Sequence, residues 1–247
     1  MPRAVLFDLD DTLLGNAMST FIPAYFEAIT RWASDRVEPR RLVAALMAGT
    51  TAMDSNDGAG PTNEDAFAAV FYPMVGIDRE ELEPVFQRFY EEAFPALRAL
   101  TRPLPEAPRL VGAALEEGLQ VAVATNPLFP LTAIEQRLEW GGVGPGAFRY
   151  EVVTSYETCH ATKPRAVYYR EILERLGRRP EECLMVGDSW QLDIAPSTAL
   201  GMAAFWVAPP WAAPSRSAAS LAGRGSLADL WRLVRGAGGR FPGDGPG

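Results

Sequence analysis

The chain has 247 residues, with 23 Lys+Arg against 31 Asp+Glu, a formal net charge of −8. That balance argues against a nucleic-acid partner, which calls for a basic face to neutralise phosphates. An apolar fraction of 48% in a chain this long buries a core without disulfides or a structural metal, and the length suits one large domain or a core with a smaller companion.

Two cysteines, Cys159 and Cys183, make no disulfide framework. No basic region leads into a long apolar segment at the N-terminus, and no run approaches the ~20 apolar residues of a membrane helix. The expectation is a cytoplasmic protein with reduced thiols and no membrane partner.

In chain order, Ala4–Phe7 is a short apolar run that reads as a strand buried on both faces. Residues 15–100 break the rhythm with helix-like segments only, at Phe21–Trp32, Leu42–Met53, Glu64–Val75 and Glu80–Leu97. The polar, Gly-containing stretch Thr51–Asn63 reads as a loop within that insertion. A helix over Pro105–Glu117, ended by Gly118, leads into a strand over Leu119–Ala124. An amphipathic helix follows over Leu128–Trp140, then a weaker strand over Glu151–Thr154. Pro164–Leu176 is helical with Pro164 suited to the first position. Strands over Leu184–Gly187 and Ala203–Val207 flank a short helix, Ile194–Leu200. Leu227–Val234 is a docking helix capped by Ser226, and the tail from Gly236 is expected to be disordered.

Strands alternating with helices predict an α/β fold: a Rossmann-like, three-layer core around a mostly parallel sheet. The first strand needs neighbours, and these come only after residue 118. The helical segment therefore reads as an insertion. The expected division is a core of residues 1–14 and 101–235, a helical domain of 15–100, and a tail of 236–247.

Four short motifs sit at strand ends or helix starts. Phe7-Asp8-Leu9-Asp10-Asp11-Thr12 places three acids where an apolar strand ends, with Leu9 free to turn back into the core. Ligand sites of open α/β sheets lie there, and paired carboxylates suit Mg²⁺. Gly187-Asp188-Ser189-Trp190-Gln191-Leu192-Asp193 repeats the arrangement after another strand. Thr125-Asn126 offers a hydroxyl and an amide after a third strand, beside the N-terminal amides of the next helix. Lys163 precedes Pro164 and is a fixed cation before a helix. Each motif alone is an acidic turn, an N-cap or a surface lysine. Their order in one βαβ system lets all four reach one edge of one sheet.

In that order the chain resembles the haloacid dehalogenase-like hydrolase superfamily over residues 4 to about 207, and its insertion falls where that family places a helical cap. The resemblance implies Asp8 as a nucleophile forming an aspartyl-phosphate and Asp10 as general acid/base. It implies Mg²⁺ held by the Asp8 carboxylate, the Asp10 backbone carbonyl and Asp188. Thr125, the Asn126 backbone and Lys163 would hold the phosphoryl oxygens. Asp193 would support the metal waters or Lys163, and Thr12 would shape the first loop. Aspartate at position 10 together with Asp188 favours phosphate over halide chemistry. The insertion holds no lysine of the kind a phosphonate hydrolase of this family would use.

The expected function is Mg²⁺-dependent hydrolysis of a small phosphorylated metabolite. The alternatives are a phosphomutase of the same superfamily and a non-catalytic phosphate-binding or regulatory module, although no motif position is substituted. Exposed apolar cap surface would support a homodimer. Substrate identity is not readable, and the Thr51–Asn63 loop is the candidate selectivity element. His160 and Cys159 are adjacent and so do not form a local dyad; Trp190 either lines the entrance or packs.

Overall fold

The computed structural model describes residues 2–213, 220–238 and 240–242. Strand β1 (Ala4–Phe7) is followed by the two-residue β2 (Leu14–Gly15). Four helices come next: α1 (Met18–Trp32), α2 (Pro39–Ser55), α3 (Asn63–Val75) and α4 (Arg79–Glu92). A 3₁₀ turn over Phe94–Leu100 leads to β3 (Arg102–Pro103). The remainder alternates: α5 (Glu106–Glu116), β4 (Gln120–Val123), α6 (Leu131–Trp140), β5 (Val152–Val153) and α7 (Ala166–Leu176). Then come β6 (Cys183–Gly187), a π-helical turn over Trp190–Ile194, α8 (Ala195–Ala199), β7 (Ala203–Val207), β8 (Leu221–Gly225) and α9 (Leu227–Gly236).

Six strands form one parallel sheet in the order β5-β4-β1-β6-β7-β8. Every residue of β1 and β6 is buried, which is why both read as unbroken apolar runs rather than as alternation. The pleat still divides them. Val5 and Phe7 face one apolar cluster with Leu110 of α5, Ile134 of α6 and Leu230 of α9. Ala4 and Leu6 face a second cluster with Tyr168 and Ile172 of α7. Helices therefore cover both faces of the sheet, as the alternating sequence pattern predicts.

Helices α1 to α4 all lie between β2 and β3, which pair antiparallel through Leu14↔Pro103 and Gly15↔Arg102. This short pair brings the two ends of the helical segment together beside β1. The segment starts and stops on local signals. The Glu38 carboxylate accepts from the Arg40 and Arg41 amides at 3.0 and 2.8 Å, ahead of Pro39 at the first position of α2. Thr62 Oγ1 accepts from the Asp65 amide, and Gly76 closes α3 at φ 66°.

Several boundaries differ from the sequence reading. The Thr51–Asn63 stretch is shorter as a loop, because α2 continues through Ser55 and Asn63 opens α3. It is stitched to the core by an Asp57↔Ala161 bridge and by Asn63 Nδ2, which donates to Ala161 O at 3.2 Å. Pro164 stands before α7 rather than at its first position; the Lys163–Pro164 peptide is cis and Arg165 is the N-cap. Strand β8 was not foreseen, since Leu-Ala-Gly-Arg-Gly carries no β-branched or aromatic residue to signal it. It pairs with β7 across a bulge between Ala204 and Phe205. Ser226 caps α9 in a capping box with Asp229. The chain after Gly236 was expected to be structureless, yet Phe241 is buried edge-on to Phe7 at 6.4 Å. The rest of that tail, residues 239 and 243–247, lies outside the described residues. Among the described residues no helix is long and apolar enough to cross a membrane.

Phe205 of β7 is fully buried, and its ring lies 3.1 Å from where a Cβ on Gly223 would stand. Phe205→Ala is expected to destabilise the fold by about 3–5 kcal/mol through lost burial and the cavity left behind, read as a lower midpoint in chemical denaturation.

Candidate active site

Strands β4, β1 and β6 lie side by side at the centre of the sheet, and their carboxyl ends open onto one cavity of about 340 Å³. The Asp8 amide donates to Val186 O of β6 at 2.9 Å, and the Ala124 amide donates to Phe7 O of β1 at 2.7 Å. These bonds carry the ladder one residue past each strand and fix where Asp8, Thr125 and Asp188 emerge. Asp8, Asp10, Thr125, Asn126, Lys163, Asp188 and Asp193 all line the cavity.

Lys163 arrives from the segment before α7 and is almost fully buried. Its Nζ donates to Asp8 Oδ1 at 2.7 Å and to Asp193 Oδ1 at 2.5 Å. Its amide donates to Asn126 Oδ1 at 3.1 Å, so the Asn126 side chain anchors the lysine backbone. Asp193 is held in turn by the Ser189 amide at 3.0 Å from Oδ2. Gly187 is required here by space: a Cβ would stand 2.5 Å from Asp193 Cγ. Thr125 O accepts from Thr154 Oγ1 at 2.7 Å and from Tyr168 Oη at 2.8 Å, which pins the end of β4. Asp188 O accepts from Trp206 Nε1 at 2.8 Å.

Asp10 has a separate set of partners. Arg137 Nη1 donates to its two oxygens at 3.0 and 2.8 Å, and Asn16 Nδ2 donates to Oδ1 at 2.7 Å. Arg137 is fully buried on α6, with its guanidinium carbon 4.7 Å from the Phe129 ring centroid. Asp11 adopts φ 55° and accepts from the Asn16 amide at 2.9 Å, closing the turn that returns the chain to β2. The non-glycine αL residue is one an aspartate tolerates through such a local bond. Thr12 is buried beneath this turn, away from the cavity lining, and its Oγ1 has no partner.

The site is short of positive charge. Carboxylate oxygens of Asp8, Asp188 and Asp193 lie within 4.8 Å of one another, and among the described residues Lys163 is the one cation bonded to them. Burial pushes the Asp8 carboxyl well above its ordinary range; Lys163 opposes this, while Asp193 and Asp188 add to it. Burial likewise raises Asp188 to about 7, with Asp193 and Asp11 pushing the same way. Burial works against the Lys163 cation, yet Asp193 and Asp8 outweigh it and keep the ammonium charged. Three crowded oxygen donors with a net negative charge are the donor set of a hard divalent cation, so these residues fit the Mg²⁺ that the sequence reading expected.

Comparison with known proteins agrees with this geometry. The haloacid dehalogenase-like hydrolase profile matches residues 2–201. The chain belongs to this family. It is 31% identical over 206 residues to a phosphoglycolate phosphatase of Rhodospirillum rubrum, covering 82% of this chain and 78% of that one. A phosphoglycolate phosphatase of Aquifex aeolicus is 27% identical over 188 residues, covering 76% of each. The fold is that of a 2-haloacid dehalogenase from Pseudomonas syringae pv. Tomato, with a TM-score of 0.63 at 20% identity over 96% of this chain and all of the other. With phosphatases of the family as relatives, the protein is a phosphatase-type hydrolase.

Seven of the eight residues singled out in the sequence therefore meet in one cavity, and Thr12 lies beneath it. Asp193 stands beside Lys163, one of its two expected partners, and its carboxylate also joins Asp8 and Asp188 in the oxygen cluster. Asp10 stands instead with Arg137 and Asn16 through its side chain. Sequence reading missed Arg137. Its signal was a charge on the apolar stripe of α6, in phase with Ala133, Ile134 and Leu138. Trp190 packs edge-on against Trp206 at 5.0 Å and does not line the cavity. His160 bonds Glu171 at 2.9 Å, outside the site.

Two outcomes follow from the charges. Asp188 has its folded pKa above the unfolded value, so its contribution to stability is present below about pH 4 and lost as pH rises towards 7. Asp188→Asn is thus expected to raise the melting temperature of the metal-free protein at pH 8, each kcal/mol adding about 2–4 °C, and to remove any further rise on adding Mg²⁺. Arg137→Met removes both bonds that Arg137 makes to Asp10, leaving the carboxylate with Asn16, and is expected to cost about 1–3 kcal/mol in denaturation.

Proposed function

We propose that the protein hydrolyses phosphomonoesters of small metabolites, with Mg²⁺ bound and with an aspartyl-phosphate formed on Asp8. The observation that carries this reading is the buried Lys163, which holds the Asp8 carboxylate at the carboxyl end of β1 within hydrogen-bonding distance. A fixed ammonium there orients the nucleophile and offers positive charge to phosphoryl oxygens.

In this reading Asp8, Asp188 and the Asp10 carbonyl hold Mg²⁺, with Asp193 adjoining through its place in the oxygen cluster. When bound, the ion supplies charge neutralisation to the carboxylates and to the phosphoryl group. The free oxygen of Asp8 attacks phosphorus while the bond to the leaving alcohol breaks. Asp10 passes a proton to the departing oxygen. Water then attacks the phosphorus of the aspartyl-phosphate, gives its proton to Asp10, and the phosphorus–Asp8 bond breaks to release inorganic phosphate. Thr125 Oγ1, the Asn126 amide and Lys163 Nζ hold the phosphoryl oxygens throughout. Arg137 and Asn16 keep Asp10 on the wall of the same cavity.

Residues 15–100 serve in this reading as a cap over a core formed by 1–14 and 101–235, and the loop ahead of α3 contributes to substrate choice. The two buried, unpaired cysteines suit a reducing cytoplasm. The phosphoglycolate phosphatases among the relatives make phosphoglycolate a first substrate to try.

Purified protein is expected to release inorganic phosphate from phenyl phosphate with Mg²⁺ and not with EDTA. Asp8→Asn is expected to lower that rate at least about 10³-fold, in line with loss of a covalent nucleophile. Turnover that survives Asp8→Asn overturns the mechanism, and transfer of phosphate to a sugar in place of release makes the protein a mutase.

A further inference from the structure

A second, larger cavity of about 630 Å³ lies among α1, α3 and α4 and opens on the core segment around Leu128–Pro130. Nine aromatic side chains stand in its walls. Tyr25 stands edge-on to Phe129 at 5.2 Å, and its hydroxyl bonds that of Tyr90 at 2.9 Å, while Phe67 stacks on Phe71 at 4.8 Å. Leu128 and Phe129 line both this cavity and the one holding Asp8, so the two meet at these residues.

Volume and charge narrow what it takes. An apolar cavity of about 150 Å³ already admits benzene, so this one has room for a fused ring system. Glycolate would leave most of it empty. Its charged lining is Glu64, Glu83, Glu91 and Glu157 against Arg79, a formal charge of −3. Arg79 is committed: it contacts Glu64 and donates to Glu83 at 3.2 and 3.1 Å. An anionic guest would therefore meet carboxylates with no free guanidinium to pair with.

Resting on the phosphatase reading, the geometry points to substrates whose alcohol portion is a bulky aromatic group without negative charge, seated in this cavity while the phosphate sits at Asp8. The ester crosses at Leu128–Phe129. Binding energy from the rings serves to place the phosphorus, and the carboxylates reject acidic alcohols.

The test compares ethyl, benzyl, 1-naphthylmethyl and carboxylated 1-naphthylmethyl phosphates, all primary alcohol esters, on the full chain with Mg²⁺. The expected result is a rise in kcat/KM of at least tenfold from ethyl to 1-naphthylmethyl, carried mainly by KM. The added carboxylate is expected to reverse it by a similar factor. Ala68→Trp, which fills the cavity from α3, is expected to collapse the naphthylmethyl-to-ethyl ratio. Equal kcat/KM across the series, or a ratio that survives in folded Ala68→Trp, overturns the inference. Should that variant fail to fold, 1-naphthalenemethanol decides on the wild type: competitive inhibition of ethyl phosphate hydrolysis upholds the cavity site, and no inhibition overturns it. Hydrolysis of none of the esters overturns the phosphatase reading itself; quenching of tyrosine fluorescence by 1-naphthalenemethanol then still shows whether the cavity binds aromatic rings.

Discussion

The buried ammonium of Lys163, bonded to Asp8 and Asp193, is the interaction on which the site depends. Taking three charges out of water is costly, and only close geometry and further hydrogen bonds repay it. The structure provides both. Asn126 holds the lysine backbone, Ser189 holds Asp193, and Gly187 leaves room for that carboxylate against β6. These contacts tie the ends of β1, β4 and β6 together. The arrangement still leaves more negative than positive charge in the cavity, which is the condition that makes a divalent cation welcome.

The sheet makes such a cluster possible by burying both faces. Val5 and Phe7 pack on one side and Ala4 and Leu6 on the other, so β1 has no freedom to rotate or slip. Asp8 is the first polar residue past that rigid strand. Its position is therefore set by apolar packing several residues away.

Arg137 stands between the core and α1, with its guanidinium carbon 5.9 Å from the Phe21 ring centroid. It pairs with Asp10 at the site, lies over Phe129, and is itself fully buried. Phe129 lines the aromatic cavity as well as the Asp8 cavity. One residue pair thus connects the Asp10 carboxylate to the aromatic cavity.

The chain by itself determined the alternation of strands and helices, the inserted helical segment and seven of the residues that meet in the site. Those features are local: apolar runs of strand length, caps such as Ser226 and Gly76, and acidic residues immediately after strands. It determined neither strand β8 nor the partner of Asp10. Leu221–Gly225 is a strand only because β7 offers it an unpaired edge, and Arg137 meets Asp10 across 127 residues of chain. The aromatic cavity likewise exists only once α1, α3 and α4 are set against the Leu128–Pro130 segment. Local propensity and hydrophobic period are written residue by residue, whereas contacts between distant side chains arise from packing, and packing is decided only when the whole chain is folded.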